Sequence, residues 1–83
     1  MKIPMHYIYI VECSDKTLYV GYTNDLERRV LQHNSSNKGA RYTKFRRPVI
    51  LKYSETFGTK SEAQKREAEI KRWRREQKLA LIQ

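Results

Sequence analysis

Two short runs rich in tyrosine, isoleucine and valine, His6 to Cys13 and Leu18 to Tyr22, flank the tetrapeptide Ser14-Asp15-Lys16-Thr17. This arrangement constrains the chain more than any other. β-Branched and aromatic residues pack well on a pleated surface, and Ser, Asp and Thr close turns through their own side-chain oxygens. The pattern predicts a β-hairpin. Asn24 then offers a helix N-cap, with Glu27 three residues on to bond back. A helix is expected from about Asp25 to His33, stopped by the polar loop Asn34-Ser35-Ser36-Asn37-Lys38-Gly39. After the basic, ambiguous stretch Ala40 to Arg47, Pro48 opens a third extended run, Val49 to Glu55. Proline is tolerated at a strand's first position because its missing N–H need not enter the ladder. Thr59-Lys60-Ser61-Glu62 is a capping-box signature, so a helix should run from Lys60 to about Trp73. Arg75 to Ile82 either continues that helix or breaks from it. The order β-β-α-β-α(-α) predicts an α+β fold: a small, mainly antiparallel three-stranded sheet flanked by helices.

Eighty-three residues are expected to form one domain, 1–83, with one thin core; a chain this short buries roughly 60–65% of its unfolded surface. No apolar run approaches the ~20 residues that span a bilayer. Met1 to His6 lacks an apolar signal-peptide segment, so a cytoplasmic setting is expected. The lone Cys13 excludes an intrachain disulfide and a cysteine-cluster zinc site, and reads as a small packing residue.

Charge points outward. The chain carries a net charge of +9, and residues 41–83 hold thirteen of the basic side chains against five acidic ones. Such a half attracts polyanions by steering and counterion release. Its basic residues are interleaved with Tyr42, Phe45, Tyr53 and Trp73, which suits nucleic acid better than a membrane surface. Arg41, Lys44, Arg46 and Arg47 are the candidate phosphate contacts, and Trp73 is expected to pack the C-terminal helix.

Both main helices place charge on an apolar face. Leu26, Arg29, Val30 and His33 share one face of the first, and Ala63, Glu67 and Ile70 share one face of the second. A buried charge costs several kcal/mol unless it is paired. Either Arg29 and Glu67 pair with each other or snorkel to the surface, or they belong to a site, with Arg29 clamping phosphate and Glu67 ligating a metal. Tyr9 and Tyr19 sit on adjacent strands of the expected hairpin. Gly21 lies where the second strand meets the first helix, and a residue without a side chain there lets a substrate approach the backbone.

These residues, at these intervals, resemble the GIY-YIG nuclease family. Tyr7-Ile8-Tyr9 matches its first motif, with Tyr7 where the family name has Gly, and Tyr19-Val20-Gly21 matches its second. Arg29 matches the family's helical arginine, His33 a commonly seen histidine, and Glu67 its metal-binding glutamate. The resemblance covers nearly the whole chain and is greatest to small stand-alone bacterial members. It implies a metal-dependent endonuclease acting on DNA, on branched, flapped or damaged structures in repair or recombination. One divalent ion, Mg²⁺ or Mn²⁺, would sit on Glu67. Arg29 would hold phosphoryl oxygens bidentately, and Tyr9 or Tyr19 would orient or deprotonate the attacking water, with the phenolate favoured by Arg29 and the metal. His33 would be a hydrogen-bond partner or proton acceptor, against an ordinary helix-terminal histidine. With no separate targeting domain expected, the DNA's shape or a protein partner would choose the site. The alternative function is a non-catalytic nucleic-acid-binding module on a nuclease scaffold.

Overall fold

The computed structural model describes residues 5–35 and 38–83; Met1 to Pro4, and Ser36-Asn37 of the expected polar loop, lie outside the described residues. The hairpin forms as the turn chemistry requires. Strand β1 (His6–Glu12) pairs antiparallel with β2 (Leu18–Thr23). Asp15 Oδ1 accepts from the Thr17 N–H and hydroxyl, closing the turn. The third strand, β3 (Ile50–Phe57), lies antiparallel on the other side of β1, so the sheet order is β2-β1-β3. It begins one residue later and ends two later than the sequence suggests.

The central strand is buried on both faces, because its alternating side chains feed two separate apolar clusters. Ile8 and Ile10 join Val20 and the helical residues Ala63 and Ile70 on one face. Tyr9, Val11 and Cys13 join Val49 on the other, with Tyr19 and Leu26 packed against them. Burial raises the Cys13 thiol pKa above its ordinary value, consistent with a packing role.

Helix α1 spans Leu26–Ser35 and crosses the tyrosine face. Its N-cap is Asp25, whose Oδ1 accepts from the Arg28 N–H at 3.2 Å; Asn24, the expected cap, lies one residue outside. The shift follows from Thr23, whose hydroxyl bonds both backbone groups of Asp25 and fixes the chain's entry angle. The ambiguous basic stretch folds as a single turn, α2 (Arg41–Lys44).

On the opposite face lie α3 (Lys60–Lys71) and α4 (Arg75–Ile82). Thr59 caps α3, accepting from the Glu62 N–H. The helix stops at Lys71 rather than Trp73, and α4 breaks from it, started by Gln77 accepting the Arg74 N–H. The break lets Trp73, Leu81 and Ile82 all pack on the Ile8–Ile10 cluster, which a straight helix of that length would prevent.

Candidate active site

Four elements meet on the tyrosine face, and β1 supplies the centre. Tyr9 is fully buried and lies directly across from Gly21 in the β1–β2 register. A Cβ on Gly21 would fall 2.4 Å from the Tyr9 hydroxyl oxygen and 2.5 Å from Cζ. Gly21 is therefore needed for close approach, but the approaching group is the Tyr9 ring. The sequence reading, a bare backbone open to substrate, is corrected: the Tyr9 phenol covers it.

The Tyr9 hydroxyl is 2.7 Å from His33 Nε2, and His33 Nδ1 is 2.7 Å from Thr43 Oγ1. Hydrogen-bond counting fixes the tautomer. The Thr43 hydroxyl donates to the Ala40 carbonyl, so its oxygen accepts from Nδ1–H. Nε2 is then the acceptor for the Tyr9 O–H, and the Tyr9 oxygen accepts from Arg29 Nε at 3.4 Å. The opposite tautomer would leave the Tyr9 proton buried without a partner, and it gains only a long 3.4 Å contact from the Ala40 N–H. The result is a continuous relay from Arg29 through Tyr9, His33 and Thr43 to the Ala40 carbonyl. His33 is thus the hydrogen-bond partner of Tyr9, not a solvated helix-terminal histidine.

Electrostatics holds this relay neutral at its centre. Burial pushes the Tyr9 hydroxyl up to about 12; the Arg29 hydrogen bond and charge offset this only in part, and Glu67 adds to it. Arg29 does favour the Tyr9 phenolate, as expected, but desolvation is the larger effect and leaves the resting hydroxyl protonated. Burial, reinforced by Arg29 and Arg47, lowers His33 to about 4. An unfolded histidine titrates near 6.5, so between those values the unfolded chain binds a proton that the folded one refuses. Stability should therefore fall as pH drops from about 6.5 toward 4. Denaturation at pH 7 and pH 4.5 should differ by about 2–3 kcal/mol from this residue. His33→Gln should flatten that window, and an equal slope in wild type and variant would contradict the assignment.

Arg29 is half-buried at the rim. Its Nη1 donates to the Lys38 carbonyl at 2.7 Å and to Gln32 Oε1 at 3.1 Å, while Nη2 has no hydrogen bond among the described residues. The Lys38 carbonyl is held in reach because Gly39 packs on α1: a Cβ there would lie 2.8 Å from the Gln32 carbonyl oxygen and 2.9 Å from His33 Cα. Tyr19 stands beside the relay, edge-on to His33 at 5.4 Å between ring centroids and stacked with Tyr42 at 5.8 Å. Its hydroxyl has no hydrogen bond among the described residues and is not a buried atom, so water can reach it.

Glu67 approaches from α3. Its side chain is 19% exposed, and Oε2 is 3.2 Å from the exposed ammonium of Lys71. The Arg29–Glu67 pair that the sequence allows does not form, since each has other partners. No cluster of three His, Cys, Asp or Glu occurs among the described residues. One half-buried carboxylate, paired among the described residues with an exposed lysine head, suits an ion that keeps most of its waters, as Mg²⁺ does.

The four basic candidates separate. Arg41 and Lys44 are exposed on α2. Arg46 pairs with Asp15 at 3.1 Å and donates to the Tyr42 carbonyl at 2.7 Å. Arg47 donates to the His33 and Gln32 carbonyls at the end of α1, where a cation offsets the helix dipole. The last two guanidiniums brace the fold around the site, a role that charge counting alone does not reveal. Sequence reasoning passed over Thr43, the group that orients His33, and read Tyr42 as an aromatic among cations without its place against Tyr19. The run Gly39-Ala40-Arg41-Tyr42-Thr43 carried the signal, through its likeness to small bacterial members and through Tyr42 as an aromatic among cations, but neither assigns Thr43 to His33 or Tyr42 to Tyr19.

Residues 5–80 match the family model described as the GIY-YIG catalytic domain. The chain is 59% identical over 78 residues to a UPF0213 protein of Staphylococcus epidermidis, covering 94% of each. It is 53% identical over 78 residues to a UPF0213 protein of Halobacterium salinarum, covering 94% of this chain and 100% of that one. A UPF0213 protein from Bacillus halodurans, solved by NMR in solution, superposes with a TM-score of 0.60 at 44% identity, over 94% of this chain and 82% of that one.

Proposed function

The chain belongs to the GIY-YIG family, a domain of nuclease type, and from this premise we propose that it is a metal-dependent endonuclease hydrolysing phosphodiester bonds in DNA. Its substrates on this reading are branched, flapped or damaged structures arising in repair or recombination. One observation carries the reading: a buried Tyr9–His33 hydrogen bond at 2.7 Å, gripped by Arg29 and within the field of Glu67. A structural core has little use for three polar side chains joined between β1 and α1, with a carboxylate on α3 near enough for its charge to act on Tyr9.

In the proposed mechanism Arg29 holds the scissile phosphate through Nη2 and the outer edge of its guanidinium, opposing the charge that grows on the phosphoryl oxygens. Tyr19, whose hydroxyl water can reach, orients the attacking water. Tyr9 is shielded from solvent at rest, so substrate must first open the rim beside Arg29; its hydroxyl, with His33 Nε2 as acceptor behind it, can then take the water's proton as its own passes to His33. Thr43 keeps His33 in the tautomer that this transfer needs. A divalent cation held by Glu67 would supply a Lewis acid for the phosphate and leaving oxygen, and positive charge that favours the Tyr9 phenolate. Lys71 must release Glu67 for that to happen, and its exposure leaves it free to do so.

The Lys71 pairing also favours a second reading, in which Glu67 is spoken for and the chain is a non-catalytic nucleic-acid-binding module. Cleavage of labelled single-stranded, flapped and four-way-junction DNA separates the two. The experiment uses Mg²⁺ or Mn²⁺ against an EDTA control, for wild type and Glu67→Ala. Metal-dependent cutting that Glu67→Ala abolishes is the expected result. No cutting by wild type, with salt-sensitive binding retained, would overturn the enzyme reading and promote the module.

A further inference from the structure

An exposed aromatic sits next to the site without any job in the fold. Phe45, directly after α2, is 81% exposed and belongs to neither apolar cluster. Most apolar side chains at this exposure are scattered singly and need no explanation. Phe45 differs in its surroundings. The Lys44 ammonium stands 5.8 Å from its ring centroid, and Arg41 is exposed on the same helical turn. Tyr42, three residues earlier, is stacked on Tyr19 of the candidate site, so α2 is physically continuous with that site. Tyr42 is itself committed, between the Tyr19 stack and the Arg46 guanidinium 4.0 Å from its ring. Phe45, at the end of α2, is the aromatic face left for a ligand.

We infer that Phe45, with Lys44 and Arg41, is a stacking platform for an unpaired nucleobase beside the scissile phosphate. The occupant follows from complementarity. An exposed aromatic ring with one ammonium over it and a second exposed cation on the adjoining helical turn, on a chain of net charge +9, matches a polyanion that presents flat apolar rings. A paired base cannot offer its face, so the platform selects single strands, flaps and frayed ends over continuous duplex. The inference deepens the proposed function and rests on it for the nature of the ligand.

The test reads binding without cleavage. A single-stranded oligodeoxynucleotide of about 12 nucleotides carrying 2-aminopurine, and a blunt duplex of the same length, are titrated in EDTA. The proteins are wild type, Phe45→Ala and Phe45→Trp. Stacking is worth about 1–3 kcal/mol per base, so Phe45→Ala should weaken single-strand binding by about 5- to 150-fold. Duplex binding, made through phosphates, should stay within about twofold. Phe45→Trp should keep the single-strand affinity and the quenching of 2-aminopurine, which Phe45→Ala should lose. Equal weakening of both ligands, or no change in either, overturns the platform. The same samples in Mg²⁺ report on the enzyme separately: Phe45-dependent binding without any cutting leaves the platform standing and removes the nuclease.

Discussion

Arg29→Ala is expected to slow DNA cleavage by about 10²–10³-fold, the effect of removing one preorganised group that stabilises transition-state charge. The guanidinium does two things at once. Its Nε donates to the Tyr9 oxygen, and Nη1 is anchored by Gln32 and the Lys38 carbonyl, which leaves the outer edge aimed and rigid. Because the anchors fix the side chain before substrate arrives, little ordering remains to be done on binding. Arg29→Lys should recover only a small part of the loss, since an ammonium has no fork to hold Tyr9 and phosphate together. Thermal denaturation should show both variants folded, since the side chain sits at the rim. Cleavage rates within about threefold of wild type for Arg29→Ala would remove it from the mechanism.

The second large effect is on the fold and the site together. Gly21→Ala places a methyl 2.4 Å from the Tyr9 hydroxyl oxygen, a distance no real contact tolerates. A flexible surface group would swing away, but Tyr9 is fully buried between Val11, Tyr19 and His33 and has nowhere to go. Overpacking of this kind costs about 1–3 kcal/mol. Displacing the hydroxyl from His33 strands a buried acceptor, for about another 1–3 kcal/mol. In a domain of this size the sum should lower Tm by roughly 10 °C or more. Cleavage should fall even below the melting temperature, because the Tyr9–His33 bond is broken in the folded protein. Tyr9→Phe is the control: it removes the hydroxyl but keeps the ring, so it should lose activity with a smaller loss of stability. A Gly21→Ala protein as stable and active as wild type would mean that Tyr9 does not lie across this glycine.

The hairpin and the α3 cap were legible because their causes are local. Asp15 and Thr17 are two residues apart, and Thr59 and Glu62 three. The inward placement of His33 and Glu67 was legible for the same reason, since helical periodicity depends only on spacing. The N-cap of α1 was misplaced by one residue because Thr23, a strand residue, reorients Asp25 and the sequence shows two adjacent capping candidates. The pairing of β3 with β1 rather than β2 was not legible at all, because the hairpin leaves one free edge on each of its strands and nothing local chooses between them.

The site divides along the same line. Residue types and intervals alone put Arg29 and His33 on the apolar face of the first helix, Glu67 on that of a later one and Tyr9 and Tyr19 on adjacent strands, and left open whether these made a site or a structural pair. They also determined that the C-terminal half would be basic. Tertiary structure decided what each side chain holds: Tyr9 on His33, Arg29 on the Lys38 carbonyl, Arg47 on α1, Arg46 on Asp15, Glu67 on Lys71. It also decided that Tyr9 rests as a neutral phenol. Periodicity and turn chemistry act over a few residues, whereas a polar side chain's partner and its degree of desolvation are set by segments that meet only when the chain has folded.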